Sequence, residues 1–182
     1  MKRSRIVGTG QHLPEKVLTN FDLEKLMDTS DEWIRQRTGI GQRYIAEKGT
    51  ASSDLGAPAC KKALESAGIA PEEVDLIVCC TCTPDHIFPS TACRIQAKIG
   101  ATRAASIDVN AACTGFVYGL AMADAMLKSG PYTTALVVGT EVLSNHLNWK
   151  KRDTSVLFGD GAGAVVLRAE DRDDDRGILS CE

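Results

Sequence analysis

What this sequence of 182 residues lacks already narrows its class. No apolar run approaches the ~20 residues that a bilayer-spanning helix requires, and the longest are strand-sized and broken by Gly, Pro or charge. The opening stretch MKRSRIVGTGQHLPE has basic residues but only a short apolar segment and no small-residue cleavage pattern, so no signal peptide is expected. Charge of one sign is not in excess. Twenty-one Lys and Arg face 24 Asp and Glu, a formal net charge of -3, so no basic footprint favours nucleic acid and any anion site must be local. Paired C-x-x-C knuckles, short-period repeats, low-complexity segments and an interdomain linker are all missing.

What is present describes an ordinary globule. Hydrophobic residues make up 43% and charged residues 25%, with 16 Gly and 6 Pro, and the length suits one domain with its own core. The seven Cys are an odd number, and five fall in apolar or helical patterns where a thiol behaves as a small hydrophobe, so a reducing cytoplasm is expected.

Short β-branched or aliphatic runs at residues 4–7, 74–80, 105–109, 135–138 and 164–167 read as buried strands. Between them, residues 31–38, 57–67, 90–99 and 113–129 carry helical patterns, closed by Gly39, Gly68, Gly100 and Gly130. This alternation predicts an α/β sheet. Thr29 and Glu32 have the spacing of a capping box. Pro58 lies in a pattern that Ser52 or Ser53 could open, so that helix either begins near Pro58 or has kinked first turns. The run EDRDDDR at residues 170–176 reads as a solvated turn.

The stretch SIDVNAACTGFVYGLAMADAMLKSG is the most informative, because an apolar strand passes through small residues and Cys113 opens a long helix. Free N-H groups and aligned peptide dipoles at a helix start favour a thiolate and can stabilise a developing oxyanion. Ala111, Ala112 and Gly115 leave room for a thin substrate arm. Taken alone, Cys113 fits two readings equally, a nucleophile and a buried Cys starting a core helix. Trp33 and Arg37 share a helix face at i, i+4, where an indole can stack on a base and a guanidinium can fork to phosphate; a half-buried Trp beside a solvated Arg is the plainer account. FGDGAGAVVL lacks the Lys and the Ser or Thr of a phosphate loop, and Leu13 takes the third glycine position after Gly8 and Gly10, so a nicotinamide site is rejected. A metal or redox site at Cys79, Cys80, Cys82, His86 and Cys93 is disfavoured, since strand alternation points Cys79 away from Cys80 and Cys82. None of His12, His86 and His146 is placed by motif as a base.

TSDEWIRQRTGI, FPSTACRIQAKIG, DVNAACTGF and FGDGAGAVVL occur in the order and approximate spacing found in the 3-oxoacyl-acyl carrier protein synthase III enzymes, and through them the chain resembles that family of the thiolase-like condensing superfamily. The resemblance implies the N-terminal half, residues 1–182, of a five-layered αβαβα architecture with a mixed sheet and a buried central helix starting at Cys113. It implies that Cys113 accepts an acyl group from acyl-coenzyme A, its own N-H contributing to the oxyanion hole. Thr29, Trp33, Arg37 and Arg152 are implied at the coenzyme A entrance, with Thr29 also explicable as a helix cap. Phe88 is implied to cross a homodimer interface, and Leu143 and Phe158 to wall the acyl pocket; core packing explains the last two as well.

The implied reaction is decarboxylative condensation of acyl-coenzyme A with malonyl-acyl carrier protein, starting fatty-acid chains in the cytoplasm with no metal and no cofactor beyond the acyl-coenzyme A substrate. The family's enolate-stabilising His and Asn belong to a second half beyond residue 182, so this chain alone is incomplete for condensation. A fragment, one part of a split enzyme and a short product are three explanations that the sequence leaves open. So are a polyketide starter or hydroxymethylglutaryl synthase-like enzyme, and a non-catalytic half that binds acyl-coenzyme A.

Overall fold

The computed structural model describes residues 2–171 and 176–181. In chain order the elements are β1 (Lys2–His12), β2 (Lys16–Thr19), α1 (Asn20–Glu24), α2 (Asp31–Thr38), β3 (Gln42–Ile45), α3 (Ser52–Ala67), β4 (Leu76–Cys80), α4 (Thr91–Ile99), β5 (Ala105–Val109), α5 (Gly115–Ser129), β6 (Thr134–Val142), α6 (Arg152–Ser155) and β7 (Asp160–Asp171). Five strands form one sheet in the order β1-β7-β6-β4-β5. β6, β4 and β5 run parallel, while β1, β7 and β6 pair antiparallel, so the sheet is mixed as the resemblance implies. Residues 172–175 of the expected solvated turn lie outside the described residues.

The parallel centre is hydrophobic on both faces. β4 reads LIVCC and is buried at every position. Ile77 and Cys79 face α3 and α4, whereas Leu76, Val78 and Cys80 face α5. Cys79 and Cys80 therefore point away from each other, and burial first of all pushes both thiols up, Cys80 to about 11. Gly8 and Gly10 serve packing: a Cβ on Gly10 would stand 2.3 Å from the Ala59 carbonyl oxygen, and one on Gly8 2.4 Å from that of Ala63. Their missing side chains let α3 lie directly on β1.

β1, β6 and β7 extend beyond the expected residues 4–7, 135–138 and 164–167, and two helix starts and one cap also differ from the sequence reading. α3 begins at Ser52 and runs through Pro58. Its first turn is held from outside, by Ser52 Oγ donating to the Thr83 carbonyl at 2.6 Å and Asp85 accepting from Ser53 N-H at 2.8 Å. α2 is capped by Ser30, whose hydroxyl accepts from Trp33 N-H at 3.1 Å; the capping box in this region joins Thr19 and Asp22 instead of Thr29 and Glu32. α5 begins at Gly115, after a 3-10 turn at Ala112–Thr114, and only Gly115, Gly119, Ala123 and Leu127 are buried along it. The expected buried helix starting at Cys113 is thus a helix starting two residues later and covered on one stripe.

A smaller unit precedes α3. β2 and β3 form a two-stranded sheet, and α1 and α2, which connect them, pack Leu23 and Ile34 against Val156. The buried Arg43 guanidinium donates to Asn20 Oδ1 and the Val156 carbonyl, both at 2.9 Å, and Asn20 donates to Asp31 and the Ile40 carbonyl. This network fixes α2 relative to α6.

Candidate active site

The chain leaves β5 and turns at Ala112, whose φ of 46° is the one positive value outside glycine among the described residues. A left-handed Ala is disfavoured, and such conformations concentrate where the fold must aim a particular side chain. Here the next residue is Cys113, which is exposed. Thr114 N-H donates to Ala111 and Gly115 N-H to Ala112, whereas Cys113 N-H donates to no backbone carbonyl among the described residues. That amide is available to a substrate oxygen beside the sulfur.

Cys113 opens onto a cavity of about 310 Å³ walled by Leu13, Cys80, Phe116, Thr140, Glu141 and Ala162, among others. A second hollow of about 620 Å³ shares Phe116, Gly139 and Gly163 with it and continues across β1 and β7. The sulfur therefore faces a groove on the sheet. α5 lies low over that groove because Gly119 has no side chain: a Cβ there would come within 2.4 Å of Cys80 Sγ.

The implied entrance residues converge on the smaller unit. The Arg37 guanidinium carbon lies 4.4 Å from the centre of the Trp33 ring, and that of Arg152 lies 4.7 Å from it, both within cation-π range. Arg152 also donates to the Asp28 carbonyl at 2.9 Å, linking α6 to the loop before α2. Thr29 Oγ1, relieved of the capping role, is buried without a hydrogen-bond partner. Trp33 also packs against the Leu23, Ile34 and Val156 cluster, so its ring belongs to the platform as well as to the entrance.

Phe88 and Ile87 protrude from the loop between β4 and α4, 88% and 102% exposed. Leu143 follows β6 and Phe158 precedes β7; both are half-buried and outside the wall of the Cys113 cavity, where Phe116 supplies the aromatic surface. Sequence reasoning missed Glu141. Its carboxylate accepts from Cys82 N-H at 2.8 Å and Thr83 Oγ1 at 2.5 Å, and the available signal was an acid inside the otherwise neutral run TALVVGTEV. Asp160 was missed too; it accepts from the N-H groups of Ala46 and Ser144, which explains the acid within FGDGAGAVVL as a strut.

A mixed sheet between helix layers, with a cysteine aimed into a groove from the turn before a helix, defines a thiolase-like condensing fold. The likeness extends to solved structures. The 3-oxoacyl-[acyl-carrier-protein] synthase III of Aquifex aeolicus VF5 superposes with a TM-score of 0.89 at 51% identity, over 94% of this chain and 55% of that one. The priming β-ketosynthase of the R1128 polyketide pathway superposes with a TM-score of 0.90 at 38% identity, over 93% of this chain and 51% of that one. Residues 107–182 match the family described as 3-oxoacyl-[acyl-carrier-protein (ACP)] synthase III. β-Ketoacyl-[acyl-carrier-protein] synthase III of Xanthomonas campestris pv. campestris (strain 8004) is 58% identical over 177 residues, which is 97% of this chain and 54% of the relative. That of Rhodospirillum centenum is 57% identical over 180 residues, 98% of this chain and 56% of the relative. Over nearly its whole length the chain is similar to the 3-oxoacyl-[acyl-carrier-protein] synthase III enzymes. It spans about half the length of the curated relatives it matches.

Proposed function

We propose that this chain is the acyl-accepting N-terminal half of a 3-oxoacyl-acyl carrier protein synthase III, and that it takes its acyl group from acyl-coenzyme A. The observation that carries the reading is Cys113, exposed on a strained turn beside a free amide and facing a groove. The Cys113 sulfur attacks the thioester carbonyl carbon, the bond to the coenzyme A sulfur breaks, and the proton lost by Cys113 leaves on the coenzyme A thiol. Cys113 N-H stabilises the oxygen charge that develops between. Trp33, Arg37 and Arg152 hold the nucleotide end of the substrate, while the Thr29 hydroxyl, buried beneath the surface, is not part of that contact.

Condensation follows on a completed enzyme. The malonyl thioester loses carbon dioxide, its carbanion attacks the acyl carbonyl, and the Cys113 sulfur departs and regains a proton. His and Asn groups from a C-terminal half stabilise the enolate, and Phe88 borders the active site of a second copy. The reaction runs in the cytoplasm. Phe116, which walls the Cys113 cavity, limits the acyl chain, whereas Leu143 and Phe158 stand outside that wall. A second reading, a priming enzyme with another acyl acceptor, draws on the 38% identity to the polyketide ketosynthase, against 58% to the fatty-acid relative.

Intact mass after incubation with acetyl-coenzyme A tests the proposal, on the chain alone and together with the C-terminal half. A gain of one acetyl group on the wild type, absent in Cys113→Ser, is expected in the reconstituted protein. Absence of any adduct there removes Cys113 as the acyl acceptor.

A further inference from the structure

Glu141 is the one charged side chain in the wall of the Cys113 cavity among the described residues. Its carboxylate is held by neutral donors only: the Cys82 N-H and Thr83 hydroxyl, the Cys82 thiol at 3.2 Å and the Thr81 hydroxyl at 3.3 Å. Among the described residues no Lys or Arg forms an ion pair with it. Neutral donors fix a carboxylate in place while leaving its net charge. The charge acts locally: the Cys82 thiol is pushed up to about 11, first by burial and then by the bond to Glu141 and its charge.

We propose that Glu141 determines acyl specificity, admitting neutral acyl groups to Cys113 and repelling acyl groups that end in a carboxylate. The inference rests on the reading of Cys113 as the acyl acceptor and adds to it a selection by charge. Its chemical sense lies in the order of the reaction. The condensation needs the priming acyl group on the cysteine before a dicarboxylic thioester arrives, and a cysteine that takes the dicarboxylic group first is occupied by the wrong partner, leaving the priming acyl group unloaded. An uncompensated anion in the loading cavity favours the productive order.

Two alkylating reagents that differ mainly in charge test the field without requiring any acyl transfer. The rates of iodoacetamide and iodoacetate at Cys113 are measured by peptide mapping, which separates Cys113 from Cys82, and their ratio is divided by that of an unstructured cysteine peptide. The normalised ratio is expected to favour iodoacetamide in the wild type and to fall about fivefold in Glu141→Gln, the scale of one unit charge acting across a cavity of intermediate dielectric. Glu141→Asp, which keeps the charge, retains the preference. An unchanged ratio in folded Glu141→Gln overturns the proposal. Should that variant fail to fold, a salt series on the wild type decides: the preference falls as ionic strength rises from about 10 mM to about 1 M, and a flat series overturns the proposal.

With acetyl-coenzyme A and succinyl-coenzyme A as competing donors, Glu141→Gln is expected to gain succinyl adducts at Cys113. Failure of the wild type to take acetyl from its own donor counts against the acyl-acceptor reading, whereas the alkylation ratio stands or falls separately.

Discussion

The two faces of the main sheet are finished to different degrees. On one, α3 and α4 close over Ile77, Cys79, Leu136, Val138 and Val166, leaving a continuous buried core. On the other, α5 covers Leu76, Val78, Val137 and Leu167 with a single stripe and turns Val117, Tyr118 and Met122 outward, 42%, 54% and 39% exposed. A helix apolar all round belongs inside a protein. The closed face is a continuous core, and the open face, which carries Cys113 at its edge, is covered by one helix whose far side stays exposed.

The largest effect is expected from a side chain forced into the closed face. A Cβ on Gly10 meets backbone, the Ala59 carbonyl oxygen at 2.3 Å and Ala63 N at 2.4 Å, and neither can rotate away. Gly10→Val is expected to cost about 3 kcal/mol or more in a denaturant titration. At Gly119 on the open side, the nearest obstacle is the end of the Cys80 side chain. Gly119→Val is expected to cost less, about 1–2 kcal/mol, while lifting the start of α5 and slowing acylation of Cys113. Equal losses at the two sites would mean that the faces are equally rigid.

A smaller effect on stability, with a larger one on assembly, separates the faces more cleanly. Tyr118→Ser removes an outward apolar group from α5, and the chain alone is expected to change by less than about 0.5 kcal/mol, since the ring has little to lose there. Titration of the C-terminal half, followed by sedimentation, should show weaker association. Unaltered association would place the partner surface elsewhere.

Elements set by local pattern were readable in the sequence: the strand at residues 105–109 and the helix at residues 31–38 end where predicted. Gly39, Gly68 and Gly100 close their helices in the left-handed conformation. The start of α3 was not, since its first turn depends on Thr83 and Asp85, some thirty residues away in sequence. At the site, Cys113 was legible from the strand, the small residues and the helix around it, and Trp33 with Arg37 from their spacing. The convergence of Arg152 on the same indole rests on the Arg43 and Asn20 network, which no local pattern encodes. Glu141 was hidden because an acid near a strand end has many ordinary explanations, and only the fold brings it to the cavity.

The smallest effect is expected off both faces, at α1, where the structure supplies a control. Asp22 is lowered from 3.8 to about 2, first by the bond from the Thr19 hydroxyl and then by Lys25. A carboxyl depressed in the folded state contributes stability that is complete above its unfolded value and is lost as pH falls through the folded one. The difference in melting temperature between wild type and Asp22→Asn should therefore be full at pH 6 and close between about pH 4 and about pH 2. Lys25 is 73% exposed, so salt reduces its share of the effect, while the hydroxyl bond persists. A difference that stayed constant across that interval would show that Asp22 acts through packing, and the capping bond would lose its part in setting the entry to the Trp33 platform.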